Sequence, residues 1–500
     1  MTVVGMNAYQ QLETIFRRIG ALEEAEGVLH WDMSVMMPAG GADARAEQLA
    51  ALKLTTHGML TDARIGDLLD EADAAPPADP WSAANLREMR RVWRHATAVD
   101  GDLVEALTKA SSRCEMIWRG ARPRGDFAAV APALTEVLRL VREKANTKAR
   151  AFGLSPYEAL LDQYEPGVGV AEIDRLFGDL AAFLPDFLQG VLDRQNSNPA
   201  PHPLEGRFDV EAQRRLGLRL MSHVGFDFDH GRLDVSLHPF CGGVPDDVRI
   251  TTRYHEQDFA QSLMGVLHET GHAMYERGLP ADWRLQPVGQ ARGMAMHESQ
   301  SLLIEMQVCR GQEFLSFAAP LMREAFGADG PAWHPDNLYA LYTTVRPDFI
   351  RVDADEVTYP AHVILRYRLE RALIGGDMQI SDLPAAWNAG MRELLGIAPP
   401  GDREGCLQDI HWFDGAFGYF PTYTMGALAA AQLFASATAS DASIRPAIAR
   451  GDFAPLMRWL RTNVHGKASL ESTDDILSLA TGAPLGTEAF KAHLRARYLH

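Results

Sequence analysis

Asp258-Phe-Ala-Gln-Ser-Leu-Met-Gly-Val-Leu-His268-Glu269-Thr-Gly-His272-Ala-Met-Tyr-Glu-Arg-Gly278-Leu-Pro280 is the stretch from which the fold is most directly read. Phe259, Leu263, Val266, Leu267 and Met274 recur at three- and four-residue steps, the period of an α-helix with one apolar face. Asp258 stands where an N-cap is needed, with Gln261 three residues on in the manner of a capping box, and Gly278 and Pro280 stop the run. Gly265 and Gly271 inside the helix each cost about 1 kcal/mol relative to alanine. A purely structural helix gains little by carrying them. Gly265, one turn before Glu269, is expected to leave room for a substrate or a neighbouring backbone.

The same period extends through most of the chain, for example over residues 130–151 and 170–192, with turn chemistry at 74–80, 196–203, 327–336 and 398–402. Residues 226–254 differ. Short alternating runs there (Phe226-Asp-Phe-Asp, Leu233-Asp-Val-Ser-Leu, Val248-Arg-Ile-Thr-Thr) are separated by Gly-Gly and Pro-Asp, which predicts a small antiparallel sheet or hairpin just before the His268 helix. A strand in that place could hold an extended peptide by backbone pairing. The expected fold is mainly α, a single unit over residues 1–500 with two lobes around a cleft: a helical N-terminal part over about 1–200 and a site over about 226–426.

Five hundred residues with 47% apolar side chains suffice for one or two large cores. The net charge is −18, and no basic block stands out, which disfavours a nucleic-acid partner. Cys114, Cys241, Cys309 and Cys406 are scattered and never paired as CxxC, so neither a disulfide framework nor a thiolate metal site is suggested. Met1-Thr-Val-Val-Gly5 lacks the pattern of a secretory leader. The apolar stretch 417–439 is interrupted by Pro421 and Gln432 and falls short of a membrane span. A soluble, cytoplasmic protein is expected, without a membrane partner.

His268 and His272 are four residues apart, so on a helix both imidazoles face one point, and Glu269 stands beside it, rotated by about 100°. A divalent cation held this way acidifies water, and a neighbouring carboxylate can take the proton as the water attacks a peptide carbonyl. So short a motif also arises by chance on solvated helices. His255-Glu256 begins the same pattern, but Phe259 occupies the place of the second histidine. A third ligand is needed, and Glu298 in Met296-His297-Glu298-Ser299-Gln300 is the best placed, on a second helix beginning near Gly293 and running through Met306. His297 is the rival, because adjacent helical residues point about 100° apart and cannot readily bind one ion together.

If the site acts on peptide ends, a terminal carboxylate would best be read by a guanidinium fork. Arg249 in Asp247-Val-Arg249-Ile-Thr251 and Arg351 in Ile350-Arg351-Val-Asp-Ala-Asp355 have the context for it, the flanking acids orienting Arg351; structural ion pairs are the plain alternative. His411, Tyr423 and His238 could line a site and stabilise an oxyanion. Each is equally readable as a hydrogen-bonded polar group of the core.

The motifs together resemble the carboxypeptidase Taq family of metallopeptidases. The matches, in order, are His238-Pro-Phe240, Asp247 to Thr251, His268 to His272, His297 to Gln300, Ile350 to Asp355 and Gly405-Cys-Leu-Gln-Asp-Ile-His-Trp412, with Trp31-Asp32 to Met36-Met37-Pro38 near the start. The resemblance implies a helical, cleft-bearing fold similar to the neurolysin and angiotensin-converting-enzyme group, assembled as a homodimer. It implies metal-dependent release of single C-terminal residues with broad specificity and poor action next to proline, with zinc or sometimes cobalt. On this analogy His268, His272 and Glu298 bind the metal, Glu269 is the base, and Arg249 and Arg351 read the carboxylate, with His238, His411 and Tyr423 around the substrate. An oligoendopeptidase or dipeptidyl carboxypeptidase on the same metal site is the competing reading, and a non-catalytic peptide-binding protein the third. For the partners that orient the two imidazoles, Asp355 is the candidate.

Overall fold

A computed structural model describes residues 6–499. The leader-free reading of the first five residues lies outside them. Helices dominate, bounded by the side chains that local chemistry favours: Asp126, Asp209 and Asp258 accept backbone N–H bonds at helix starts, and Gly153, Gly225 and Gly376 take left-handed conformations at helix ends. The helices expected over 130–151 and 170–192 lie inside Phe127–Phe152 and Val170–Ser197. Among the described residues no helix is long and apolar enough to cross a membrane. The apolar stretch near 417–439 becomes the helix Pro421–Ser440, buried within the protein.

The hydrophobic interior is divided. The main core runs through most helices after residue 100, while Leu12, Phe16, Ile19, Leu69 and Met89 form a separate core among the N-terminal helices Ala8–Val35, Ala63–Ala74 and Pro80–Thr97. Buried Asn85 ties the two parts together, donating to Gln286 Oε1 (2.9 Å) and accepting from Val288 N (3.2 Å).

The small sheet is present but mixed rather than antiparallel. Its strands are β1 (Gly231–Val235), β2 (Cys241–Val244) and β3 (Asp247–Thr252), in the order β1-β3-β2. The tight Pro245-Asp246 turn makes β2 and β3 an antiparallel hairpin, whereas the longer link after β1 lets the chain pass over and leaves β1 parallel to β3. Phe226 to Asp229 is a turn, not a strand: Asp227 accepts from Asp229 N and its carboxylate meets the His230 ring, which closes the chain on itself. The N-terminal helix packs on β2, and Trp31 near its end lies against both Arg232 and Arg249, with guanidinium carbons 5.2 and 4.4 Å from the ring centre.

Candidate metal centre

The helix Phe259–Gly278 forms as its sequence dictates. Asp258 accepts from Ala260 N and Gln261 N, and the apolar face goes into the core. The reciprocal half of a capping box is absent, because the Gln261 amide donates to Asp353 instead (3.2 Å). The second helix is Gly293–Leu302, and it continues as a wider π turn over Leu303–Cys309. Two glycines let this helix sit tightly between its neighbours. A Cβ on Gly271 would lie 2.5 Å from Gln300 O and 2.6 Å from Ser301 Cα, and one on Gly426 would lie 2.7 Å from Glu298 Cβ. Gly265, expected to give way to a substrate or a backbone, has no neighbouring backbone against it and faces open space.

This packing brings His268, His272 and Glu298 together, with one donor atom from each all within 4.8 Å of one another. His272 Nε2 is 3.4 Å and His268 Nε2 3.9 Å from Glu298 Oε2. A tetrahedral cation with ligands at about 2.0 to 2.2 Å requires donors roughly 3.4 Å apart; the His272–Glu298 pair stands at that spacing and the His268–Glu298 pair about half an ångström wider. The proton arrangement fits as well. His268 Nδ1 donates to Glu305 (2.9 Å), whose other oxygen is held by Arg310 (2.6 Å). His272 Nδ1 lies 2.7 Å from His297 Nδ1, and His297 Nε2 lies 2.8 Å from Glu276. With His297 donating to Glu276, its Nδ1 accepts the proton of His272. Both Nε2 lone pairs are thereby turned toward Glu298, the tautomer a metal ligand needs. His297, the rival ligand, is thus the partner of a ligand candidate.

Electrostatics divide the group. Burial, reinforced by the neighbouring His297, pushes His272 down to about 4. Burial opposes protonation of His268 too, but the surrounding carboxylates Glu305, Glu298 and Glu269 outweigh it and raise it to about 10, a proton that a cation would displace. Burial lifts Glu269 to about 7, against the pull of His268. Among the described residues the Glu269 carboxylate has no hydrogen bond or ion pair, while Glu276, Glu298 and Glu305 are all engaged.

Arg351 contacts Tyr359 and Tyr423, both of which feel the charge of Glu298, and Asp409 orients it rather than its flanking acids. Its Nε and Nη2 both meet Asp409 Oδ1 (3.1 and 2.9 Å), while Arg366 takes Asp409 Oδ2 (2.6 Å). Among the described residues Arg351 Nη1 has one hydrogen bond, a long contact to Tyr359 OH (3.5 Å), so one edge of the fork is spare. Its guanidinium carbon lies 4.7 Å from the Tyr423 ring centre, and Tyr423 OH lies 3.3 Å from His411 Nε2. Burial pushes His411 down to about 4 and the Tyr423 phenol up to about 12. Arg249 sits on β3, paired with Asp247 and stacked on Trp31. His238 lies on the link between β1 and β2 with an exposed imidazole that, among the described residues, forms no hydrogen bond, ion pair or ring contact.

Asp355 does not orient the imidazoles. Its carboxylate is spent on the N–H groups of Arg346, Val357 and Thr358, closing its own loop. The residues that do so, Glu305 and the His297–Glu276 pair, were not singled out from sequence for that task. Helical spacing held a signal for one of them: Glu276 is four residues after His272, on the same face of the helix.

The profile of the carboxypeptidase Taq (M32) metallopeptidases matches residues 11–498. Thermostable carboxypeptidase 1 of Thermus thermophilus is 40% identical, over 98% of each chain. Among solved structures, metallocarboxypeptidase 1 of Trypanosoma cruzi superposes with a TM-score of 0.96 at 40% identity over 99% of both chains, and an M32 carboxypeptidase of Deinococcus radiodurans with 0.93 at 33% identity over 98% of both. A family profile spanning nearly the whole chain, and relatives alike from end to end, leave one conclusion: the chain belongs to the carboxypeptidase Taq (M32) family and is a metal-dependent carboxypeptidase.

Proposed function

We propose that His268, His272 and Glu298 hold the catalytic ion, that this ion is zinc with cobalt as a working substitute, and that Glu269 is the general base. The observation that carries the reading is the convergence of two Nε2 atoms and one carboxylate oxygen, with both Nδ1 atoms already committed elsewhere. A bound divalent cation supplies charge that polarises the scissile carbonyl and acidifies water.

The chain's own residues do the rest. Glu269, buried and without a competing partner, takes the proton from water as its oxygen attacks the carbonyl carbon. It then passes that proton to the leaving nitrogen as the C–N bond breaks. Arg351 receives the substrate's terminal carboxylate on its spare edge, the charge of Asp409 being shared with Arg366. Tyr423, still protonated at neutral pH, donates to the developing oxyanion and is steadied by His411. Arg249 and His238 contact the substrate farther out, along the sheet. The protein acts as one domain, on peptides with broad specificity, works in the cytoplasm and, by resemblance, assembles as a homodimer.

The decisive experiment pairs Glu269→Gln with a peptide ladder read by mass spectrometry, with and without chelator. Expected are a stoichiometric metal content in the variant, a loss of turnover of about 10²- to 10⁴-fold, and protection of peptides with amidated C-termini. Rapid internal cleavage of amidated peptides would instead favour an oligoendopeptidase, and a variant that retains turnover would remove Glu269 from the role.

A further inference from the structure

In an uninterrupted α-helix the carbonyls of Met306 and Gln307 accept from the N–H groups four residues on, those of Arg310 and Gly311. At the end of the π turn these donors go elsewhere: Arg310 N bonds Glu305 O (3.1 Å) and Gly311 N bonds Val308 O (2.9 Å). These two carbonyls are therefore left to other donors. Arg497, on the helix Glu488–Tyr498, takes both. Its Nη1 is 2.6 Å from Met306 O and its Nη2 3.3 Å from Gln307 O.

The guanidinium is itself fixed. Nη1 also meets Glu356 Oε2 at 2.9 Å, with the two side chains only 6% and 3% exposed. Glu356 further accepts from Tyr498 OH (3.1 Å) and the Gln307 amide (3.2 Å), and meets His493 Nε2 (2.8 Å). Glu305 lies in the turn that Arg497 grips, one residue before the first clamped carbonyl, and presents Oε2 to His268 Nδ1. A π turn widens the helix and changes where its next side chains point. The angle at which Glu305 meets His268 therefore depends on what holds this turn open.

We propose that Arg497 is a positioning residue of the metal centre: by clamping the carbonyls of Met306 and Gln307 it aims Glu305 at His268. This rests on the reading of His268 as a metal ligand. A purely structural part for Arg497, pinning one helix to the body, would cost stability without touching the metal.

The test uses the full chain with Arg497→Met, Arg497→Lys, Glu305→Gln and the double variants. Zinc affinity is measured by chelator competition, the visible spectrum is recorded after cobalt loading, and the metal-free proteins are melted. Lysine keeps the charge beside Glu356 but cannot span both carbonyls, so Arg497→Lys guards against a methionine variant that does not fold. Expected for Arg497→Met is an affinity loss of about 10- to 100-fold, with a smaller loss for Arg497→Lys and a changed cobalt spectrum in both. In the Glu305→Gln background neither change at Arg497 should lower affinity further. Wild-type affinity and spectrum in folded Arg497→Lys, or losses that multiply in the double variants, would overturn the proposal. His268→Ala is the control: if it retains wild-type affinity, the ligand assignment itself is what fails.

Discussion

Nδ1 of His272 and Nδ1 of His297 lie 2.7 Å apart, and the far nitrogen of His297 rests on Glu276. Two imidazoles so close share one proton between their facing nitrogens, and the carboxylate on one side decides which ring supplies it. His297→Ala should therefore cost metal affinity without removing a ligand, by about 10- to 100-fold. Chelator competition on the purified variant measures it. An affinity unchanged within twofold would reduce His297 to a packing residue.

Gly271 and Gly265 make opposite predictions from one helix. An added methyl at Gly271 would press on the backbone of Gln300 and Ser301, which cannot move without carrying Glu298 along. Gly271→Ala is expected to destabilise the metal-free protein by about 1 to 3 kcal/mol and to weaken metal binding. Gly265→Ala meets nothing, so the helix should gain stability, by up to about 1 kcal/mol. Thermal melts of the two variants side by side check both signs.

The contrast marks where sequence reading reaches its limit. Caps, stops and apolar spacing are local, so the helix Phe259–Gly278 could be read off directly, and the length of chain between His272 and Glu298 sufficed to bring in a second helix. Which glycine meets a neighbour is a matter of packing, and no local pattern holds it. Alternation likewise tells strand from helix but not which strand lies next to which, so β1 pairing parallel to β3 was not legible. The step of about 100° between His297 and Glu298 argued that the two do not bind one ion together. It said nothing of His297 reaching the other nitrogen of His272. Glu305 was hidden by the π turn, and Asp355 misled because a carboxylate near an arginine in sequence is as easily spent on its own loop.

Arg351 shares Asp409 with Arg366, so removing Arg351 leaves no buried charge wholly unpaired. Arg351→Ala should fold and fail mainly in binding. Loss of a desolvated carboxylate contact of about 2 to 4 kcal/mol would raise KM for peptides with a free C-terminus by roughly 30- to 1000-fold. Steady-state kinetics on free and amidated peptides separates this from a general defect. An unchanged KM for the free peptide would exclude Arg351 from carboxylate recognition.

Glu356 offers a prediction about acid. Burial opposes its ionisation, but His493, Arg497 and Arg310 outweigh burial and hold the carboxyl at about 2, below its ordinary value of 4.5. A carboxylate whose pKa is lowered by folding binds fewer protons in the native state than in the unfolded chain between those two values. Its contribution is thus complete above about 4.5 and is lost as pH falls toward 2. At pH 7 Glu356→Gln leaves Arg497 buried beside a neutral amide and should cost about 3 to 5 kcal/mol. The variant has nothing to titrate at this position, so the gap between it and the wild type should close on acidification. Denaturant unfolding of the two metal-free proteins in steps from pH 7 to pH 3 measures that gap. A gap that stayed level, or widened, would mean that the network around Glu356 is held by its hydrogen bonds and not by its charge.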